Sequence, residues 1–259
     1  MLSPFFLRKL SPFLVCFISA LVCVGQQASV PAPDNNSFVE TEFDKNSATF
    51  VNMVRQVDSI SHTAGIASHF AKIYAASMGN INAQLKGLDS NAQSFVKKFE
   101  ISFIGYFLEA CDEYNSGKQV GPVWNFYFTH PNVEPWQLTM IGVNAHINGD
   151  IWKGLVKNFS EEEISRNKKH LLAFQSSISR AFQPFFEELL QESSYLRFMD
   201  NFTKGAARRY GEWLIYNWRR RQIDLATLYF TDPEKFKKQF AAINKKKQHI
   251  DEKILRNKF

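Results

Sequence analysis

At 259 residues with 45% hydrophobic side chains, the chain is long enough for one sizeable core and too apolar for intrinsic disorder. Its formal charge of +6 is unevenly placed: residues 232–259 hold nine Lys/Arg against four Asp/Glu, and with Arg8 and Lys9 set aside the body carries only about −1. The basicity is a property of the tail, which excludes a domain-wide nucleic-acid footprint.

The first segment reads as a targeting signal. Arg8 and Lys9 precede an apolar run from Leu10 to Val24, followed by the polar Gly25-Gln26-Gln27, the layout of a secretory signal peptide. Residues 1–25 are therefore predicted to be cut away, with Cys23 and Gly25 at the −3 and −1 positions, and the protein to be exported to the periplasm or the outside. A lipid anchor on Cys23 and an uncleaved anchor are the alternatives, although Ala20-Leu21-Val22 lacks the small residue expected directly before a lipidated cysteine. Cys16 and Cys23 lie in this segment, so the cut chain keeps Cys111 alone and has no internal disulfide. Cys111 closes the apolar helical stretch from Phe107 and has no basic neighbour, so it reads as a packing residue rather than a nucleophile.

Residues 26–46 are rich in Pro, Asn and Ser without a sustained period and read as a flexible lead-in. From 47 to 259 apolar residues recur at three- and four-residue spacing, in segments near 47–59, 63–86, 91–116, 135–158, 161–192, 195–230 and 232–258. The fold class predicted is all-α: one multi-helix domain of about seven helices, ending in a basic C-terminal helix. Start signals support several of them. Pro135 suits a first turn, Ser160 with Glu163 makes a capping box, and Asp232-Pro233-Glu234 opens the last helix. Pro184 should kink or divide the fifth segment. Between the third and fourth segments, residues 116–131 form a long aromatic connection that is expected to pack on the domain and wall a pocket.

The most informative stretch is Gly142-Val143-Asn144-Ala145-His146-Ile147-Asn148-Gly149-Asp150. On a helix His146 and Asp150 share one face, Asn144 and Asn148 another. Asn144 falls among Met140, Ile147, Ile151 and Leu155, where a core helix carries Leu or Val. A buried amide or imidazole without partners costs about 1–3 kcal/mol, so this cluster needs partners, a ligand or a metal. Here the chain resembles a bacterial family of unknown function that carries G-x-N-A-H-I-N-x-D-L, with Ile151 in place of the usual Leu. Weaker likeness extends to Gly65, Phe70, Tyr74, Trp124, Arg208, Trp213 and Trp218, over roughly residues 61–221. The resemblance implies a shared all-α fold and a shared site, and carries no chemistry with it.

Three readings of the cluster stay open. In the catalytic one, His146 is a general acid or base on a small or partly apolar substrate, Asp150 orients it, and Asn144 and Asn148 contact the substrate or an oxyanion. Trp124 and Arg208 are the further candidate ligand contacts, and Gly142 and Gly149 leave room for close approach. In the second, the same groups bind a small molecule in an aromatic-lined pocket without turning it over; 25 Phe and 15% aromatic residues would furnish one. In the third, the polar groups only specify helix packing. A divalent metal on His146 and Asp150 would need a third ligand. His62, His69 and His130 complete no recognised pattern, and they read more simply as surface or half-buried residues, as does His170. Arg219, Arg220 and Arg221 read as surface residues, though one arginine could reach the polar site. Lys245-Lys246-Lys247 reads as a solvated face that could touch anionic lipid headgroups at the membrane periphery. No phosphate loop, Rossmann fingerprint or nucleophile elbow is present.

Overall fold

The computed structural model describes residues 42–78, 85, 87–181, 187, 190–191, 197, 200–201 and 206–256, without the side chains of 42–45, 175–181 and 206–212. Among the described residues every regular element is helical, so the chain is all-α. In order these are α1 (Glu42–Ser61), α2 (Ile66–Met78), α3 (Ser90–Asn115), the short α4 (Asn125–Phe128), α5 (Pro135–Ala145), a π-helical turn (His146–Asp150), α6 (Ile151–Asn158), α7 (Glu161–Ala181), α8 (Ala206–Thr231) and α9 (Pro233–Arg256). Helix α1 starts at Glu42, inside the stretch read as a flexible lead-in. The proposed signal segment and Pro184 lie outside the described residues. Among those described, no helix is long and apolar enough to cross a membrane.

Local chemistry accounts for where the helices start. Pro135 occupies the first turn of α5, and Glu134 and Gln137 cap each other's backbone there, with the Glu134 amide 3.0 Å from Gln137 Oε1. The Ser160 amide donates to Glu163 Oε2 at 2.8 Å and the Glu163 amide to Ser160 Oγ at 3.3 Å, completing the capping box of α7. The Lys235 amide donates to Asp232 Oδ1 at the start of α9. Each cap satisfies donors that a helix's first turn leaves without intrahelical partners.

The continuous rod formed by α5, the π turn and α6 is the axis of the domain. From Trp136 to Ile151 every residue is buried, which a helix tolerates only when neighbours surround it. Helix α5 packs against α2 and α9, the π turn against α3, α8 and α9, and α6 against α3 and α8. The aromatic connection folds over the same rod, with Trp124, Tyr127 and Phe128 buried. It is fastened to the start of α2, where the Tyr127 hydroxyl donates to the Ile66 carbonyl and accepts from the Phe70 amide at 3.2 Å.

Two glycines make this packing possible. A Cβ on Gly142 would lie 2.8 Å from Phe70 Cδ2 of α2, and one on Gly149 only 2.3 Å from Val123 Cγ1 of the aromatic connection. The close approach expected at these positions is thus made by a helix and a loop. Alanine in a helix normally gains about 1 kcal/mol over glycine, but overpacking a filled core costs about 1–3 kcal/mol. The clash should win at Gly149. Gly149→Ala is expected to lower unfolding free energy in urea by about 1–2 kcal/mol, and a variant more stable than the parent would show that Val123 yields freely.

Candidate functional site

The buried rod carries two polar clusters on different sides. On the first, the His146 ring is only 3% exposed and lies in an aromatic cage. Phe103 stacks on it with ring centroids 3.4 Å apart, and Tyr74 and Phe70 meet it edge-on at 4.9 and 5.2 Å. Asp150, fully buried one π turn on, accepts from Trp124 Nε1 at 2.8 Å and from Lys153 Nζ at 3.5 Å. His146 Nδ1 is 3.7 Å from Asp150 Oδ2, too long for a hydrogen bond, so the contact is electrostatic. Among the described residues neither ring nitrogen of His146 has a hydrogen-bond partner.

The cage extends into a second set of titratable groups. Glu100 of α3 is fully buried; the Tyr74 hydroxyl donates to its Oε2 at 3.0 Å, while Oε1 has no partner among the described residues. Arg219 of α8 is 7% exposed, and its guanidinium lies 5.6 Å from the centroid of the Phe103 ring that His146 stacks on, within cation–π range. Its Nε is likewise buried without a partner among the described residues. Burial pushes the Glu100 carboxyl up to about 7, against the pull of Arg219 and the Tyr74 hydroxyl. Burial pushes His146 down to about 4, against the opposing pull of Asp150. At neutral pH the imidazole is therefore uncharged and Glu100 divides between its two forms.

The second cluster faces α9 and is extensively joined, although Gln222 Oε1 is buried without a partner among the described residues. Asn144 Nδ2 donates to the Lys247 carbonyl at 3.0 Å and to Asp251 Oδ1 at 2.7 Å, and its Oδ1 accepts from Asn148 Nδ2 at 2.8 Å. Lys247 Nζ donates to Asp251 Oδ2 at 3.0 Å, and Gln137 Nε2 to the Ile254 carbonyl at 2.7 Å. From α8, Gln222 Nε2 donates to the Asn148 carbonyl at 3.0 Å. Asn144 and Asn148, expected as ligand contacts, thus hold α9 to the rod, on a side that the His146 ring does not face.

Other expectations sort cleanly. Trp124 meets Asp150 directly, while the side chain of Arg208 lies outside the described residues. Arg219, expected at the surface, is buried instead, because α8 presents it to the Phe103 ring; Arg220 and Arg221 are exposed. Lys247 likewise leaves the solvated run and turns inward to Asp251, whereas Lys245 stays exposed. His62 is exposed beside Asp58 at 3.7 Å, and His130 Nδ1 lies 2.8 Å from the Phe126 carbonyl of its own turn. His69 and His170 are half-buried. Among the described residues no three His, Cys, Asp or Glu side chains converge as a metal would require. Cys111 is buried with its thiol pushed up to about 12 by that burial, which suits a packing residue. Glu100 is a site residue that the sequence reading does not include, although it carries the same signal as Asn144. It stands among Val96, Phe103, Ile104 and Phe107, a carboxylate in an apolar stripe.

Two measurements test these clusters. Asn144→Leu keeps the volume but strips partners from Asp251, Asn148 and the Lys247 carbonyl, so it should destabilise by about 1–3 kcal/mol in chemical denaturation. A variant as stable as the parent would mean that the network does not hold α9. The second concerns pH. Glu100 is raised from 4.5 to about 7, so its contribution is full below pH 4.5 and is lost as pH rises to 7. His146 is lowered from 6.5 to about 4, so its contribution is full above pH 6.5 and is lost as pH falls to 4. Between 4.5 and 6.5 the two slopes oppose each other and cancel. Relative to the parent, Glu100→Gln should therefore gain stability as pH rises across that window, and His146→Phe should lose it. Each slope should approach about 1.4 kcal/mol per pH unit. Parallel pH profiles for parent and variants would show that neither group is shifted.

Comparison with known proteins gives a family and no activity. No curated protein and no solved structure matches the chain. One family model matches residues 21–257, nearly the whole sequence. The chain belongs to DUF5995, a family of unknown function.

Proposed function

We propose that this is an exported protein whose buried centre at His146 takes up a small, partly apolar molecule and acts on it by acid–base chemistry. The observation that carries the reading is the pair of His146 ring nitrogens, enclosed by aromatic rings and without hydrogen-bond partners among the described residues. A fold that needed this residue only for packing would do better with leucine or phenylalanine, because each unpaired buried polar atom costs free energy. Glu100 Oε1 and Arg219 Nε repeat the same cost beside the Tyr74 and Phe103 rings that cage His146. Polar groups kept at such expense in an apolar cage are the anatomy of a small-molecule site.

Within that site the roles divide by pKa. The neutral imidazole offers one donor and one acceptor to the ligand, with Asp150 beside it to favour one ring orientation. Glu100, near 7, is the group matched to exchanging a proton at neutral pH. Arg219 supplies the positive charge that an anionic group or developing oxyanion needs. Asn144 and Asn148 act one step back, holding the rod and α9 together around it.

The test needs no knowledge of the ligand. His146→Phe and the smaller His146→Leu remove the unpaired nitrogens and keep an apolar fill, so at neutral pH at least one of them should raise unfolding free energy by about 1–3 kcal/mol. A structural histidine, whose nitrogens are satisfied in the folded protein, predicts loss of stability in both. That result would sink the reading.

A further inference from the structure

Helix α9 gives one side to the domain, where Phe236 and Phe240 are half-buried and Ile250 and Ile254 buried. At about 100° per residue, Lys235, Lys238, Lys245, His249 and Arg256 gather on its outer side within an arc of about 80°, and all are exposed. Ala242 and the half-buried Lys253 complete the arc, and no acidic residue falls in it. The flanking carboxylates are engaged: Lys237 Nζ donates to Glu234 Oε1 at 2.8 Å, and Arg256 Nη2 to Glu252 Oε2 at 3.3 Å. Among the described residues Lys235, Lys238 and Lys245 form no ion pair. A solvated face normally mixes signs, as α7 does with Glu162, Arg166 and Lys169. The outer face of α9 carries one sign over about 32 Å. Exposed rings meet it at its start. Tyr229 and Phe230, at the end of α8, are 47% and 42% exposed. Tyr229 packs on Phe236, the residue after Lys235, with ring centroids 5.3 Å apart.

We infer that the outer face of α9, with Tyr229 and Phe230 at its start, docks the protein on an anionic lipid surface. The unpaired lysines meet the negative headgroups. The two rings enter the headgroup layer, where amphipathic and aromatic side chains settle. Charge and apolar contact together make the two signals that lasting peripheral attachment needs. Duplex nucleic acid would draw the same cations, but it binds them through its phosphates and offers Phe230 no apolar layer to enter. The docking face does not depend on what His146 does: α9 turns Lys247 and Asp251 toward Asn144 of the rod, and Lys245 and His249 to solvent.

The experiment is flotation of the protein with vesicles of phosphatidylcholine alone and of phosphatidylcholine mixed with phosphatidylglycerol. The apolar run from Leu10 to Val24 can bind either kind, so the readout is the ratio of the two partition coefficients, compared between parent and variants that share that run. The parent should prefer the anionic vesicles at least about tenfold, and the preference should shrink as sodium chloride rises from about 0.1 to 0.5 M. Combining Lys235→Gln, Lys238→Gln and Lys245→Gln should remove about tenfold or more of it, with an unchanged Tm because all three side chains are exposed. Phe230→Gln keeps the charge and should still weaken binding to the anionic vesicles several-fold. A parent without the anionic preference, or a triple variant that retains it, overturns the docking face. An unchanged Phe230→Gln overturns the part given to the rings. Duplex DNA bound as tightly as the anionic vesicles, and lost in the same triple variant, would make the face a general polyanion surface and overturn the lipid assignment.

Discussion

Enclosing one helix on every side sets the terms for the rest of this protein. The rod from Trp136 to Ile151 has no solvent face, so its polar residues must find partners in neighbouring helices or go without. On the α9 side they find them: Asn144 collects a carbonyl, a carboxylate and a second amide, and the C-terminal helix is bonded to the centre of the domain. On the other side the imidazole is surrounded by rings whose polar ends bond elsewhere, Tyr74 to Glu100 and Trp124 to Asp150. The same burial that makes the first cluster a fastening makes the second a centre of unmet polarity.

That contrast is what supports the proposed reading of the centre at His146. A purely structural network leaves few atoms unpaired, and Asn144 with Asn148 meets that standard. His146, Glu100 and Arg219 do not, and all three touch or adjoin the Tyr74 and Phe103 rings. Charge also balances locally. Arg219 lies close enough to Glu100 to oppose the rise of its carboxyl, so the interior tolerates an arginine that the sequence suggests should be solvated.

The helical class was legible because apolar spacing and end signals agree. Ser160 with Glu163 and Pro135 behave as their positions demand. Asn144 and Asp150 could be placed inside because they interrupt an apolar stripe, and Glu100 carried the same mark unread. Other features had no local signal. Arg219 sits in a run of three arginines, and only the direction in which α8 faces Phe103 separates it from the two that stay in water. The burial of Lys247 depends on Asp251 one turn later meeting Asn144, a contact between residues 107 positions apart. The π turn leaves no periodicity of its own over five residues, and helix patterns read at 3.6 residues per turn pass over it.

That turn acts as a phase shifter. Its wider loop of backbone takes more residues per revolution than the helices it joins, so α6 leaves it rotated relative to a straight extension of α5. Ile151 and Leu155 reach the core from that altered angle, and His146 and Asp150 end up one above the other. An α-helical path would turn every later side chain by up to about 100° for each residue gained or lost. Trp152, now lying against Tyr229, Phe236 and Phe240, would swing off that contact as the carboxyl left the indole of Trp124. A five-residue irregularity thereby sets the angular register between the two halves of the domain, and one residue inserted or deleted there would break that register even with every side chain kept.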